Sequence, residues 1–294
     1  MNRTLVNDAP TKIGEVIKLE GWVQTRRDHG KLVFLDLRDR SGIIQIVFKA
    51  SKEVDPVRQE WVVQIEGEVK ERPESMQNSE IKTGMIEISA NKLTVLSEAK
   101  TLPFDIETDG YEIAEEKRLT YRYLDIRRKR LQGNLTLRHR LIKFTRDFMD
   151  EKGFVEIETP LLTKSTPEGA RDYVVPSRVN PGKFYALPQS PQQYKELLMV
   201  GGIEKYFQIA RALRDEDPRA DRQPEHTQLD LEMAFVTQED IMNLVEEWIL
   251  KLTKHLEPYT GKKILSEPFA RITYKEAMKK YGNDKPDIRK DTKN

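Results

Sequence analysis

The chain of 294 residues contains no cysteine. Disulfides, thiolate nucleophiles and cysteine-built zinc sites are therefore excluded. Histidine is nearly as scarce: His29, His139, His226 and His255 are the only four, and they are too far apart for metal-ligand spacing. Neither sign of charge prevails, with 50 Lys+Arg against 49 Asp+Glu and a net charge of +1. A nucleic-acid partner would thus need a local basic surface, not a global attraction. No apolar run approaches the ~20 residues of a membrane span. The start, MNRTLVNDAP, lacks an apolar core of signal-peptide length. A cytoplasmic setting with no membrane contact is the expectation. Internal repeats and low-complexity tracts are also absent.

What the chain has in excess is charge, 34% of all residues, above the usual quarter. That fits a heavily hydrated surface. The length leaves room for two domains with separate cores. Residues 13 to 96 read as short strands: one beginning Ile17, Leu19, Gly21, Val23, then Leu32 to Leu37, Ile43 to Phe48, Trp61 to Val69 and Met85 to Leu96. Five strands with turn signals between them predict a small closed barrel. In the second strand Phe34 and Leu35 must face opposite ways, so Phe34 is either a core residue or an outward ring. The polar stretch Arg72 to Thr83 reads as a mobile loop.

From Leu102 to Arg130 the charges segregate. Acidic residues (Asp105, Glu107, Asp109, Glu112, Glu115, Glu116) precede basic ones (Arg118, Arg122, Arg127, Arg128, Lys129, Arg130). This reads as a linker with a short helix, whose basic half either pairs with its acidic neighbour or touches nucleic acid. A long helix is expected over 134 to 152, with Leu137, Leu141, Phe144 and Phe148 on one stripe and Gly153 as its left-handed cap. A short helix is expected over 191 to 200. A second long one is expected over 238 to 256, led by a Thr237/Asp240 capping box. All-β followed by helices mixed with antiparallel strands makes the class α+β.

Chemistry concentrates in FQIARALRDEDPRADRQPEHTQLDLEMAFV, residues 207 to 236. Two strands, Tyr206 to Leu213 and Leu229 to Val236, flank a loop in which Arg214, Arg219 and Arg222 stand near Glu216. Guanidinium forks bind two phosphate oxygens in a fixed plane, so this hairpin can hold a polyphosphate. A solvated, charged loop is the plain alternative. Lys195 is likewise a surface lysine on base rates.

Taken in order, the helix, KGFVEIETP (152 to 160), PEGARDY (167 to 173), YALPQSPQ (185 to 192) and the arginine hairpin resemble the class II aminoacyl-tRNA synthetases. The closest likeness is to the bacterial-type aspartyl-tRNA synthetase family. It extends to GWVQTRRDHGKLVFLDLRD in the barrel. Motif 1 resembles 152 to 162, with Pro160 as its proline, and motif 2 resembles 207 to 235. The resemblance implies an N-terminal five-stranded OB-fold barrel that binds the anticodon (1–101), a linker (102–132), and a partial class II antiparallel-sheet catalytic domain (133–294).

The implied reaction joins L-aspartate to ATP and moves it to the 3′ end of tRNA(Asp). The attacking carboxylate is already ionised, so catalysis is positioning and charge stabilisation, with no Ser-His-Asp set. Arg214 is the implied catalytic residue, bridging the α-phosphate and the attacking carboxylate. Aspartate would be held by Glu168, Ser190, Gln192, Lys195, Arg214 and Asp230, with Lys195 taking the side-chain carboxylate. ATP, entering with Mg2+, would meet Arg214, Asp215, Glu216, Gln223 and His226, an imidazole where relatives commonly stack a phenylalanine. No protein-bound metal is expected. Arg27, His29, Phe34 and Gln45 match anticodon contacts, and a histidine at position 29 implies that tRNA(Asn) is also charged. The proline of motif 1 implies a homodimer.

A glycine-rich third motif is missing. The resemblance therefore implies the first half of a larger enzyme, a poor catalyst alone, with an open sheet edge. A non-catalytic tRNA-binding and dimerisation fragment is the alternative. A ligase for asparagine or lysine is another, and a single-strand DNA binder would explain only the first 96 residues.

Overall fold

The computed structural model describes residues 2–50, 52–79, 81–166, 168–217 and 222–288. Arg219 of the hairpin loop lies outside them, as do Pro167, Ala220 and Asp221 of the segments quoted above. The chain divides into two compact units between residues 115 and 116.

The first unit is built on β1 (Val16–His29), β2 (Leu32–Arg38), β3 (Ile43–Lys49), β4 (Val62–Glu71) and β5 (Ile86–Ser97). They close into a barrel in the order β1-β2-β3-β5-β4. Alternation dictates this. Leu19, Leu35, Ile44, Ile46, Ile65 and Ile88 all turn into one buried core, while the residues between them face outward. A Cβ on Gly67 would lie 2.6 Å from the Ser89 carbonyl oxygen, so β4 and β5 approach as closely as they do only because that position is glycine. Residues 102–115 of the expected linker belong to this unit, where Gln24 donates to Glu107 at 2.7 Å. The loop expected to be mobile is pinned at both ends: Arg72 and Thr83 are buried, Arg72 Nε donates to the Ile86 carbonyl at 2.8 Å, and Glu74–Met76 forms a turn of 3-10 helix.

The second unit contains α1 (Glu115–Thr120), α2 (Arg122–Asp125), α3 (Lys129–Glu151), β6 (Val155–Glu156), β7 (Val174–Pro176), β8 (Phe184–Ala186), α4 (Gln192–Val200), β9 (Lys205–Leu213), β10 (Glu225–Met233), α5 (Gln238–Thr260) and α6 (Tyr274–Tyr281). β9 sits between antiparallel β10 and parallel β6, and β7 and β8 form a separate hairpin. Phe207, Leu229 and Leu231 on one face of the β9–β10 hairpin pack on Phe148 and Met149 of α3 and Leu244 of α5. The opposite face carries Tyr206, Gln208, Asp230 and Glu232.

Three expected boundaries move. α3 starts at Lys129, not 134, because it grows from a buried ionic anchor: Arg128 Nε donates to Asp125 at 2.7 Å and both side chains are fully enclosed. Arg118 and Arg122 also converge on Asp125, at 3.8 and 2.8 Å. These three arginines thus share a carboxylate inside their own segment. The apolar stripe of α3 is buried only near its end, at Phe148 and Met149, while Leu141 is 36% exposed. α5 runs to Thr260 despite Pro258 and stops at Gly261, φ +65°; its Thr237/Asp240 capping box is formed. Lastly, β10 covers 225–233 and not 229–236. Phe235, at φ +58° and 93% exposed, ends the strand early.

Candidate functional site

The register of the hairpin sets the site. Gln208 stands opposite Asp230, and Tyr206 opposite Glu232. Residues two apart in a strand share a face, so these four project away from the Phe207 core together. α4 lies over them and delivers Lys195. Its ammonium is 3.1 Å from Asp230 Oδ1 and 3.2 Å from Glu232 Oε2, and it also donates to the Leu231 carbonyl at 3.4 Å. Lys195 is only 9% exposed, which removes the surface-lysine reading. A buried ammonium between two carboxylates can receive a third anion only by loosening one of them. Burial pushes the Asp230 carboxyl above the ordinary range, against the hydrogen bond and charge of Lys195. Beside it, burial and then the charge of Asp230 drive the Tyr206 phenol well above its usual value.

Glu168 does not pair with Lys195. It accepts from Ser190 Oγ at 2.5 Å and from Thr166 Oγ1 at 3.2 Å. The adjoining Gln189 is fully buried and acts as a stitch. Its amide accepts from the Ala170 N–H at 3.0 Å and donates to the Ala170 carbonyl at 2.8 Å. Its own carbonyl receives Arg214 Nε at 3.2 Å. The loop carrying Glu168, the segment carrying Ser190 and the guanidinium of Arg214 are thus tied through one residue. Asp215 extends the tie, its N–H donating to the Arg171 carbonyl at 3.0 Å. Gln192 is not drawn in by its side chain, which turns along α4 to Glu196 at 2.8 Å; only its backbone N–H reaches Ser190 Oγ, at 3.2 Å.

Past Arg214 the hairpin opens into a cavity of about 870 Å³ lined by four guanidinium groups, those of Arg138, Arg211, Arg214 and Arg222. Glu216, Gln223 and His226 share its walls. Glu216 lies 3.6 Å from Arg222. His226 belongs to β10, opposite Ala212, not to the loop, so its ring is held by the sheet. A smaller cavity of about 330 Å³ adjoins, bounded by Gly169, Arg171, Asp215 and Glu216. Planar forks around a space of this kind suit a polyphosphate. Lys195 and Glu168 line neither cavity; they join it through residues 189–195 and Arg214. Among the described residues no group of three or more His, Asp or Glu is arranged to hold a metal ion, and no helix is long and apolar enough to cross a membrane.

Sequence reasoning passed over Gln189, Tyr206, Arg138 and Arg211. Gln189 lies inside the quoted YALPQSPQ segment, which was the available signal. Arg138 carried none, since only the packing of α3 brings its guanidinium to Thr227 of β10, at 2.8 Å.

On the barrel, Leu35 is in the core and Phe34 faces out. Arg27 pairs across to Phe34, and Asp36 to Gln45. Arg27 is 3.0 Å from Asp36 and donates to Gln45 Oε1 at 3.5 Å, while His29 meets Phe34 edge to face at 5.6 Å between ring centroids. The four residues marked in the sequence thus share one outer face, an aromatic ring flanked by a cation and an amide.

Residues 114–294 match the family of tRNA synthetases class II (D, K and N), and residues 17–96 match the OB-fold nucleic acid binding domain. An aspartate–tRNA(Asp/Asn) ligase of Syntrophomonas wolfei is 56% identical over 94% of this chain and 47% of its own length. That of Bacillus subtilis is 55% identical, over 95% and 48%. The chain spans about half the length of the curated relatives it matches. In structure it is similar to the asparaginyl-tRNA synthetase of Pyrococcus horikoshii complexed with asparaginyl-adenylate, with a TM-score of 0.82 and 27% identity over 95% of this chain and 66% of the other.

Proposed function

The chain belongs to the class II tRNA synthetases (D, K and N), and from that footing we propose that the protein is an aspartate–tRNA ligase. It joins L-aspartate to ATP, releasing pyrophosphate, and passes the aspartyl group to the 3′ end of tRNA(Asp). The observation that carries the choice of aspartate is Lys195, a buried ammonium presented by α4 to Asp230 and Glu232. A cation there selects a side-chain carboxylate, where a neutral amide would find no charge to meet.

In this reading Arg214 bridges the α-phosphate and the attacking carboxylate, and stabilises the charge that builds between them. Glu168, fixed by Ser190, takes the α-ammonium of aspartate. Asp230 orients Lys195. Asp215, Glu216, Gln223 and His226 surround ATP, with His226 stacked on the adenine, Glu216 reading its amino group, and Mg2+ entering with the polyphosphate. Gln192 reaches the pocket only after leaving Glu196. Arg27, His29, Phe34 and Gln45 grip the anticodon, Phe34 stacking a base and Gln45 reading its edge. The anticodon-binding domain is 1–101, the linker 102–132 and the catalytic domain 133–294. We place the enzyme in the cytoplasm as a homodimer joined around Pro160. His29, together with relatives named for both tRNAs, supports charging of tRNA(Asn) as well.

Replacing Lys195 by leucine in the full-length protein and measuring amino-acid preference tests the reading. Aspartate use is expected to be lost. A variant that still prefers aspartate rules out Lys195 as the selector.

A further inference from the structure

The hairpin face that holds the partners of Lys195 also holds a titratable group to which the reaction gives no task. Tyr206 is completely buried, and its hydroxyl donates to Gln208 Oε1 at 2.8 Å. That oxygen does not depend on it, because Thr159 Oγ1 donates to the same atom at 3.0 Å. Directly across from Gln208, Asp230 uses Oδ1 to receive Lys195 at 3.1 Å, but its Oδ2 is buried with no hydrogen-bond partner. A buried carboxylate oxygen without a donor is costly. The phenol that could supply one stands close enough for hydrogen bonding with Asp230 to help hold its proton, after burial and the Asp230 charge, yet its hydroxyl is aimed at Gln208.

We propose that Tyr206 is a positioning residue for aspartate, whose hydroxyl turns from Gln208 to Asp230 Oδ2 when an acidic substrate draws the Lys195 ammonium away. The proposal rests on Lys195 being the cation that meets the substrate's side chain. The charges require some such device. Lys195 already faces Asp230 and Glu232, so an incoming carboxylate is the third on one ammonium. Glu232, its side chain 34% exposed, can turn to water. Asp230 cannot, since its side chain is 9% exposed and held by the sheet. Rotation about the phenolic C–O bond gives Asp230 a donor while Gln208 keeps Thr159, and no proton changes residue. Asparagine leaves the ammonium with Asp230 and gains nothing from the rotation, so Tyr206 favours the acid over the amide.

The test is Tyr206→Phe in the full-length protein, with aspartate and ATP binding measured by calorimetry beside the wild type. Aspartate is expected to bind about tenfold or more weakly, as for loss of a hydrogen bond to a charged group, with ATP binding unchanged. In an Asp230→Asn background the same replacement should have no further effect on aspartate. Equal aspartate affinity in wild type and variant, or parallel loss for aspartate and ATP, overturns the proposal alone. A wild type that binds asparagine or lysine in place of aspartate overturns the substrate reading and the proposal together. If the variant does not fold, fluorotyrosine at position 206 gives the answer: its fluorine resonance should move with aspartate and not with ATP, and indifference to aspartate overturns the proposal.

Discussion

At the scale of single residues, the site is governed by what happens to charge when water is removed. Buried Lys195 and Asp230, with half-exposed Glu232, make a group with one positive and two negative charges. Asp230 carries the strain, its carboxyl raised by burial. The sign follows: the folded state binds the Asp230 proton more tightly than the unfolded chain does. Its contribution to stability is full below the unfolded value of about 3.9 and is lost as pH rises through the higher folded value. Asp230→Asn should remove that descending limb, so the variant gains on the wild type as pH rises from the acid end. Urea titrations over that range check this; a pH-independent difference contradicts it. Arg214 differs in kind, because its guanidinium is tied to a backbone carbonyl and not to a carboxylate. Its charge stays available to a phosphate. Arg214→Ala should lower the rate of adenylate formation by about 10²–10³ in pyrophosphate-exchange kinetics, with little change in melting temperature.

At the scale of elements, barrel and hairpin are set by different things, and this explains what could be read in advance. Alternation along a barrel strand requires Phe34 and Leu35 to face opposite ways, but 32–35 is apolar throughout, and only the closed core shows that Leu35 is the one turned in. β10 was legible only over Leu229, Leu231 and Met233. Its first four residues, Glu225 to Gln228, are polar, and they pair because β9 supplies partners from Ala210 to Leu213; no periodicity announces that. The start of α3 was equally hidden, since its anchor is the Asp125–Arg128 pair and not an apolar stripe. Gly67 was passed over because its need is steric, a neighbouring carbonyl 2.6 Å from a Cβ position. Gly67→Ala should destabilise the barrel by about 1–3 kcal/mol in chemical denaturation. At the other end of the chain, Thr237→Ala removes a formed cap and should lower stability by about 1 kcal/mol.

At the scale of the whole molecule, each unit has its own candidate site: the barrel has the face of Arg27, Phe34 and Gln45, and the second unit has the cradle and the buried lysine. The roles proposed for Glu168, Lys195 and Arg214 came from resemblance, and the structure adds a physical link between the loop of Glu168 and Arg214, the Gln189 stitch, which no motif spells out. If the barrel grips the anticodon, Phe34→Ala should weaken tRNA binding by about 1–3 kcal/mol, the worth of one stacked base, while amino-acid activation stays intact. Filter binding together with pyrophosphate exchange separates the two effects. Charging assays on both tRNAs test the role of His29, and strict rejection of tRNA(Asn) would remove it. The most direct measurement of the central claim is pyrophosphate–ATP exchange by the full-length protein with aspartate, asparagine or lysine supplied in turn. Exchange with aspartate alone, abolished by Arg214→Ala, is the predicted result; equal exchange with asparagine or lysine, or exchange indifferent to Arg214, would contradict it.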